Sequence, residues 1–127
     1  MAIVGREALN KATFKRAVVH VPEWGGDVHI RELSAAEVAS VQKIATSAVD
    51  LTTRTVTDTT ALARFQAAVI VAGWVDENGA HVLTDADIDT VLAQPSQIVV
   101  RLAQEISRLS GMEQEENADP VTSAKNA

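Results

Sequence analysis

The sequence contains no cysteine and no tyrosine, and aromatic residues make up only 3% of its 127 positions. The lack of cysteine excludes disulfides, zinc sites with thiolate ligands and cysteine nucleophiles. Hydrophobic residues still account for 46% of the chain, so a core can form, and it must be built from valine, isoleucine, leucine and alanine. At this length we expect a single domain.

Positive charge is also scarce. There are 17 acidic and 11 basic residues, which gives a formal net charge of −6, and the basic residues form no cluster. Because binding to a nucleic-acid backbone requires clustered Lys and Arg, we expect no nucleic-acid partner. The longest apolar run, residues 67–73, is far shorter than the roughly 20 residues that span a bilayer. No signal-peptide pattern is found at the N-terminus, so we expect a soluble protein with no membrane partner.

Two short runs near the N-terminus alternate in polarity as β-strands do. Apolar residues occupy every second position in residues 17–21 and again in residues 28–30. The sequence Pro-Glu-Trp-Gly-Gly lies between the two runs, and Gly25 and Gly26 can supply the positive φ of a turn. The pattern therefore predicts a β-hairpin over about residues 15–31.

Helical periodicity dominates the rest of the chain, after a short helical lead before the hairpin. Ser34 and Glu37 have the spacing of a capping box, in which each side chain accepts a hydrogen bond from the other residue's backbone. Thr84 or Asp85 would cap a later helix, and Gly111 would end the last one. The predicted helices span about residues 34–51, 58–73, 85–93 and 96–110.

The elements together predict an α+β, mostly α-helical domain over residues 1–111, with an N-terminal β-hairpin followed by about four helices. Within it, Asn78-Gly79 indicates a tight turn in a small hairpin or loop over residues 75–83. Residues 112–127 are acidic, then small and polar, with no apolar period. This composition predicts a disordered C-terminal tail.

Trp24, in the turn of the hairpin, is the first candidate for a partner-binding residue, since Trp is enriched at binding hot spots. The favoured interpretation is nevertheless that its ring folds over the helix after the hairpin and completes the core. Val69, Ile70 and Val71 point to successive faces of a helix, so part of an apolar stripe could stay exposed to a partner helix. Trp74 follows an apolar helix and is assigned to the core.

We find no sequence pattern typical of catalysis or cofactor binding. The acidic residues after position 75 do not form a calcium loop, because Gly79 comes two residues early and position twelve is Asp87 instead of glutamate. A metal-dependent hydrolase using Asp76, His81 and Asp85 is a third hypothesis, which bound metal would be needed to support. We expect a protein that is not an enzyme and carries no cofactor and no metal.

The order of these motifs resembles the tail assembly chaperones of long-tailed bacteriophages. The resemblance covers about residues 5–112. It is carried by V-x-V-P-E-W-G-G-x-V-x-I-R-E-L-S-x-x-E at residues 19–37, by G-W-V-D-E-N-G-x-x-V-L-T-D-A-D-I at residues 73–88, and by R-L-S-G-M at the end of the last helix. The first motif is the most distinctive, because a Pro-Glu-Trp-Gly-Gly turn is followed at once by a capped helix.

The resemblance implies a chaperone that binds the tape measure protein in the cytoplasm of the infected bacterium. It would keep that protein soluble during tail assembly and be absent from the mature virion. In many relatives a ribosomal frameshift yields a longer form that recruits tail tube protein, which makes the tube protein a second expected partner. Self-association is a further expectation. The alternative is a minor structural virion protein, such as a tail completion or head–tail connector subunit.

Overall fold

The structure is a computed structural model of the chain, and it describes residues 3–11, 13–46, 49–50, 55–56 and 59–112. Short 3₁₀ turns lie at Pro22–Trp24 and Asp85–Asp87. No helix within the described ranges is long and apolar enough to cross a membrane. The elements in chain order are α1 (Ala8–Lys11), β1 (Arg16–Val21), β2 (Gly26–Arg31), α2 (Ala35–Thr46), β3 (Val49–Asp50), β4 (Thr55–Val56), α3 (Thr59–Gly73), β5 (Trp74–Val75), α4 (Ile88–Leu92) and α5 (Ser96–Leu109).

The predicted β-hairpin is confirmed. Strands β1 and β2 pair antiparallel with Ala17 opposite Ile30 and Val19 opposite Val28, so the apolar positions of both strands share the face that packs on the core. The turn between them is the Pro22–Trp24 3₁₀ turn, closed by Gly25 with φ 79°. The expectation that both glycines adopt positive φ is wrong, because Gly26 already belongs to β2 and the turn requires only one left-handed residue.

A third strand completes the sheet in the order β1-β2-β5. Trp74 pairs with Ile30 of β2, and the chain then returns through a tight turn in which Gly79 has φ 88°. This turn was predicted, and a bridge between Val75 and His81 closes it. The pairing of β5 with the hairpin was not predicted, because a strand of two residues shows no measurable alternation.

The core lies where α5 packs on the sheet and against α3. It is aliphatic, as the composition predicted. The large side chains that are fully buried come from the sheet and from these two helices: Ile30, Ile70, Ile98, Leu102, Ile106, Val21, Val69 and Val75.

The predicted helix ends have the expected capping geometry. The Ser34 backbone donates to Glu37 Oε1 at 2.8 Å and the Glu37 backbone donates to Ser34 Oγ at 3.2 Å, which is the capping box at the start of α2. Thr84 and Asp87 form a second capping box. Gly111, with φ 78°, follows α5 and ends it.

The fold class is confirmed, and α3, the Asp85–Asp87 turn with α4, and α5 match three of the predicted helices. The helix predicted to reach residue 51 is too long, because Val49–Asp50 is extended and pairs with Thr55–Val56. β-Branched Val and Thr favour extended backbone there. Residue 58, where the second helix was predicted to begin, and the tail from residue 113 onward lie outside the described residues, and the domain boundary at residue 111 stays a prediction.

Candidate partner-binding surfaces

Two tryptophans meet at one end of the sheet. Trp24 is held by the 3₁₀ turn that Pro22 begins, and Trp74 is held in β5 by its pairing with Ile30. Their rings stack with centroids 5.3 Å apart and planes 14° apart. Trp24 remains 37% exposed, so the stack forms part of the protein surface.

A small apolar pocket of about 240 Å³ lies beside the stacked rings. Its wall is completed by the segment that runs from the end of the small hairpin through α4. We call it the tryptophan pocket, and its lining consists of Trp24, Trp74, Leu83, Asp87, Thr90, Val91 and Gln94.

The structure places Trp24 differently from the favoured sequence interpretation. Its ring packs on Trp74 and faces the α4 side of the molecule instead of covering α2. β5 joins the sheet next to β2 and so places Trp74 beside the second strand of the hairpin, where its ring meets that of Trp24. Trp74 itself is only partly buried, so its assignment to the core holds for part of its surface.

The apolar stripe of α3 is not exposed. Val69, Ile70 and Val71 are 0%, 1% and 6% exposed, because α2, α4 and α5 all pack against this helix. The expectation that part of the stripe stays open to a partner is therefore wrong for the described fold. Val71 lines a surface groove.

That groove, about 660 Å³ in volume, runs between α2, α3 and residues 81–88. We call it the helical groove. Its floor is apolar and includes Val41 and Ile44 of α2, while Glu37 and His81 lie at its rim. Leu83 lines both this groove and the tryptophan pocket, so the two depressions are neighbours.

A buried arginine, Arg31, contacts two residues that line the helical groove, Glu37 and His81. Arg31 is 7% exposed; its Nη2 donates to Glu37 Oε2 at 2.8 Å and lies 3.2 Å from His81 Nε2. Its Nη1 donates to the carbonyl oxygen of Glu32 at 2.7 Å. The guanidinium also lies 4.4 Å from the centre of the Phe14 ring, a cation–π contact. The alternation of β2 puts Arg31 on the strand face opposite Val28 and Ile30, and it gives no sign that this position is covered.

Glu37 therefore caps α2 with one carboxylate oxygen and holds Arg31 with the other. Partial burial alone would raise the pKa of Glu37, but the hydrogen bonds from the Ser34 backbone and from Arg31 outweigh it. The positive charge of Arg31 acts in the same direction, and the net effect is a pKa below the ordinary glutamate value. The carboxylate is thus held in its charged form.

A second ion pair fixes the hairpin turn to α5. Arg101 Nη2 donates to Glu23 Oε1 at 3.1 Å. The pKa of Glu23 lies below its ordinary value. The largest cause is the hydrogen bond that the carboxylate accepts from the Glu23 backbone, and the second is the hydrogen bond from Arg101. Glu23 directly precedes Trp24, so this pair helps to position the stacked ring.

The residues of the metal hypothesis are not brought together. Asp76 turns back on its own loop, where its Oδ1 accepts from the backbone of Asn78 at 2.8 Å and of Ala80 at 3.0 Å. His81 lies beside Arg31, away from that carboxylate. Within the ranges that the structure describes, no three His, Asp or Glu side chains are placed to hold a metal ion.

Comparisons with known proteins agree with this architecture. A family model described as phage tail assembly chaperone matches residues 7–121, which is most of the chain, and the chain belongs to that family. Among solved structures, the tail assembly chaperone of bacteriophage HK97 has a similar fold, with a TM-score of 0.58 at 19% sequence identity. The match covers 81% of this chain and 90% of the HK97 chain. No curated protein matches the chain significantly.

Proposed function

We propose that this chain binds the tape measure protein during tail morphogenesis, keeps it soluble in the cytoplasm of the infected bacterium, and is absent from the mature virion. The observation that carries the proposal is the family match, which extends over residues 7–121 and so includes the whole helical domain and its sheet. In this role the chain acts by reversible binding and performs no catalysis.

The surface of the domain supports a holding function, because a soluble protein that masks apolar segments must present apolar area of its own. Within the described ranges, large hydrophobic side chains are exposed at several places, most of them outside the two depressions. They are Ile3, Val4, Leu9, Phe14, Val18, Trp24, Leu62 and Val82. The net charge of −6 would keep a complex with an apolar client in solution.

Co-expression tests the proposal directly. The tape measure protein of the same phage is produced alone, with this chain, and with an unrelated acidic protein of similar size as the control. We expect it to be soluble and to copurify only with this chain. A tape measure protein that stays insoluble, or that is equally soluble with the control, would overturn the proposal.

Absence from the virion is tested separately by mass spectrometry of purified particles. A chaperone that leaves before completion gives no peptides from this chain, whereas lysates of infected cells contain them. Detection at a fixed ratio to the tail tube protein would favour the alternative of a minor structural component.

We further propose two additional contacts. Tail tube protein binds a longer, frameshifted form of the chain, and copies of the chain associate with one another when no client is present. Pull-down of tube protein by the longer form but not by the short form tests the first. Light scattering of the purified chain with and without client tests the second, with a smaller assembly expected once client is bound.

A further inference from the structure

We propose that the tryptophan pocket is a docking site for a basic amphipathic segment, which inserts one apolar side chain beside Trp24 and places Lys or Arg around it. The identification of this segment as part of the client rests on the proposed chaperone function. The chemistry of the pocket is argued from its own residues.

The tryptophan pocket is lined largely by apolar side chains, and one of its two indoles is partly exposed. Its wall is formed mainly by the two stacked indoles and by Leu83 and Val91. Trp24 is 37% exposed although it is one of the largest apolar side chains in the chain. A partly exposed Trp that is already immobilised by stacking loses little rotamer freedom on binding, which makes it an effective anchor.

The part of the chain that forms most of the pocket has a strong excess of negative charge. Residues 65–100 contain no Lys or Arg, but they contain five acidic residues, Asp76, Glu77, Asp85, Asp87 and Asp89. The last three belong to the 3₁₀ turn and to α4. Asp87 lines the pocket itself, Asp89 directly precedes Thr90 of its lining, and Asp85 lines the adjoining helical groove. Asp85 and Asp89 are exposed, and the described part of the chain offers neither of them an ion-pair partner.

Arg101 does not neutralise this surface, because it pairs with Glu23 at 3.1 Å. The pocket is therefore apolar inside and acidic along its α4 side. Like charges across an interface are repelled and opposite charges are attracted, so an acidic segment is disfavoured and a basic one is selected. A helix with an apolar face and flanking Lys or Arg meets both requirements.

The helical groove is a weaker candidate for this segment. It lies next to the pocket and Asp85 lines it, but its lining also includes Glu37, whose carboxylate is already neutralised by Arg31. The tryptophan pocket has an exposed aromatic anchor and lies beside the exposed Asp89, whereas the lining of the helical groove contains no aromatic ring.

The test uses the full chain and two synthetic amphipathic peptides that share one leucine face, with lysine on the polar face of one and glutamate on that of the other. Neither peptide contains Trp, so emission reports only Trp24 and Trp74, the two Trp of the chain. We expect the lysine peptide to bind with a change in Trp emission and the glutamate peptide not to bind. Affinity for the lysine peptide should fall as salt is raised.

Three variants assign the site by calorimetry. Trp24→Ala should weaken binding of the lysine peptide about tenfold or more, as expected for a hot-spot residue. Asp85→Asn combined with Asp89→Asn leaves the apolar wall intact, and it should weaken binding several-fold and flatten the salt dependence. Leu62→Ala is the matched control, because Leu62 is also 37% exposed but lines a different depression, and its affinity should equal that of the wild type.

The proposal is overturned if the lysine peptide does not bind, if the glutamate peptide binds equally well, or if both pocket variants bind as the wild type does. The co-expression assay keeps this result separate from the proposed function. If the wild type and the pocket variants solubilise the tape measure protein equally, the chaperone role is retained and the pocket takes no part in it. If the lysine peptide binds selectively but the chain forms no complex with the tape measure protein, the pocket does select basic segments, but the tape measure protein is not its ligand.

Discussion

The ring of Trp24 lies on the ring of Trp74 with 5.3 Å between their centroids, and this contact joins the turn of the hairpin to the strand that follows α3. Further contacts hold the chain on both sides of the stack. Glu23 is held by Arg101 of α5, and Trp74 is paired with Ile30 in the sheet. The stack is therefore a structural joint as well as the wall of the proposed docking site, and the two roles can be separated by experiment.

Replacing Trp24 with alanine should lower the free energy of unfolding by about 1–2 kcal/mol, because an aromatic pair contributes about 0.5–1.5 kcal/mol beyond its buried area. Trp24→Phe keeps a stacking ring and should recover at least half of that loss. Urea denaturation followed by far-UV circular dichroism measures both variants without relying on Trp emission. Equal stability of the alanine variant and the wild type would mean that the stack is not a structural joint.

Arg31 and Glu37 should behave as a coupled pair. Their side chains are 8% and 24% exposed and meet at 2.8 Å, so Arg31→Met leaves a partly buried carboxylate without its partner. We expect a loss of about 2–4 kcal/mol, slightly less than for a fully buried pair. In a double-mutant cycle with Glu37→Gln, the coupling energy should be about 1–3 kcal/mol.

The control for this cycle is the more exposed pair of Arg108 and Glu105 on α5, with side chains 58% and 36% exposed at 2.7 Å. Glu105→Gln should cost no more than about 1 kcal/mol, as is typical of surface pairs. Similar losses for Glu37→Gln and Glu105→Gln would show that burial of Arg31 adds nothing to its ion pair.

The lowered pKa of Glu37 predicts a specific pH dependence of stability. A carboxyl group whose pKa is lower in the folded state stabilises the fold above its unfolded value, about 4.3 for Glu, and loses that contribution as pH falls through the folded value. Wild type should therefore lose stability more steeply than Glu37→Gln below about pH 4.3. Above it the two curves should run parallel.

Denaturant titrations at a series of acidic pH values measure this difference. The comparison between wild type and variant isolates Glu37, because the other carboxyl groups are common to both proteins. Curves that stay parallel down to the acid transition would contradict the assignment of the lowered pKa to Glu37.

Local patterns predicted the parts of this fold that are determined locally. The period of two in the hairpin placed Val19 and Val28 on the core face, and the S-x-x-E spacing placed Ser34 at the start of α2, both as observed. Each of these features depends on residues close together in sequence. A few side chains and one turn are enough to specify them.

The site depends on contacts that no local pattern contains. Trp24 and Trp74 meet only because β5 pairs with β2, and a strand of two residues has no period that could reveal this pairing. Arg31 follows the apolar Ile30 in a strand and the alternation gives no sign that it is covered, but Phe14, Glu37 and His81 contact it from three separate segments. The sequence signal near the pocket is the repeated aspartate at 85, 87 and 89, which was not connected with a docking site from the sequence alone.

Gly73 and Gly26 differ in the space available for a Cβ atom, so alanine substitutions at the two positions can be compared. A Cβ at Gly73, the last residue of α3, would lie 2.6 Å from Ile106 Cγ2 and 2.8 Å from its Cδ1, whereas a Cβ at Gly26 would meet nothing within 4 Å. Gly73→Ala should cost about 1–3 kcal/mol, because a fully buried Ile106 in a packed core has little room to move. Gly26→Ala should be neutral or stabilising by up to about 1 kcal/mol, because alanine reduces the entropy of the unfolded chain.

Gly73 directly precedes Trp74, so forcing α3 away from α5 should also shift β5 and disturb the tryptophan stack. We therefore expect Gly73→Ala to change the Trp emission of the folded protein, and Gly26→Ala to leave it as in the wild type. Thermal and urea unfolding of both variants measure the stability difference, and emission spectra in buffer measure the displacement. If Gly73→Ala were as stable as Gly26→Ala, α3 and α5 would have to be less closely packed than the contact with Ile106 indicates.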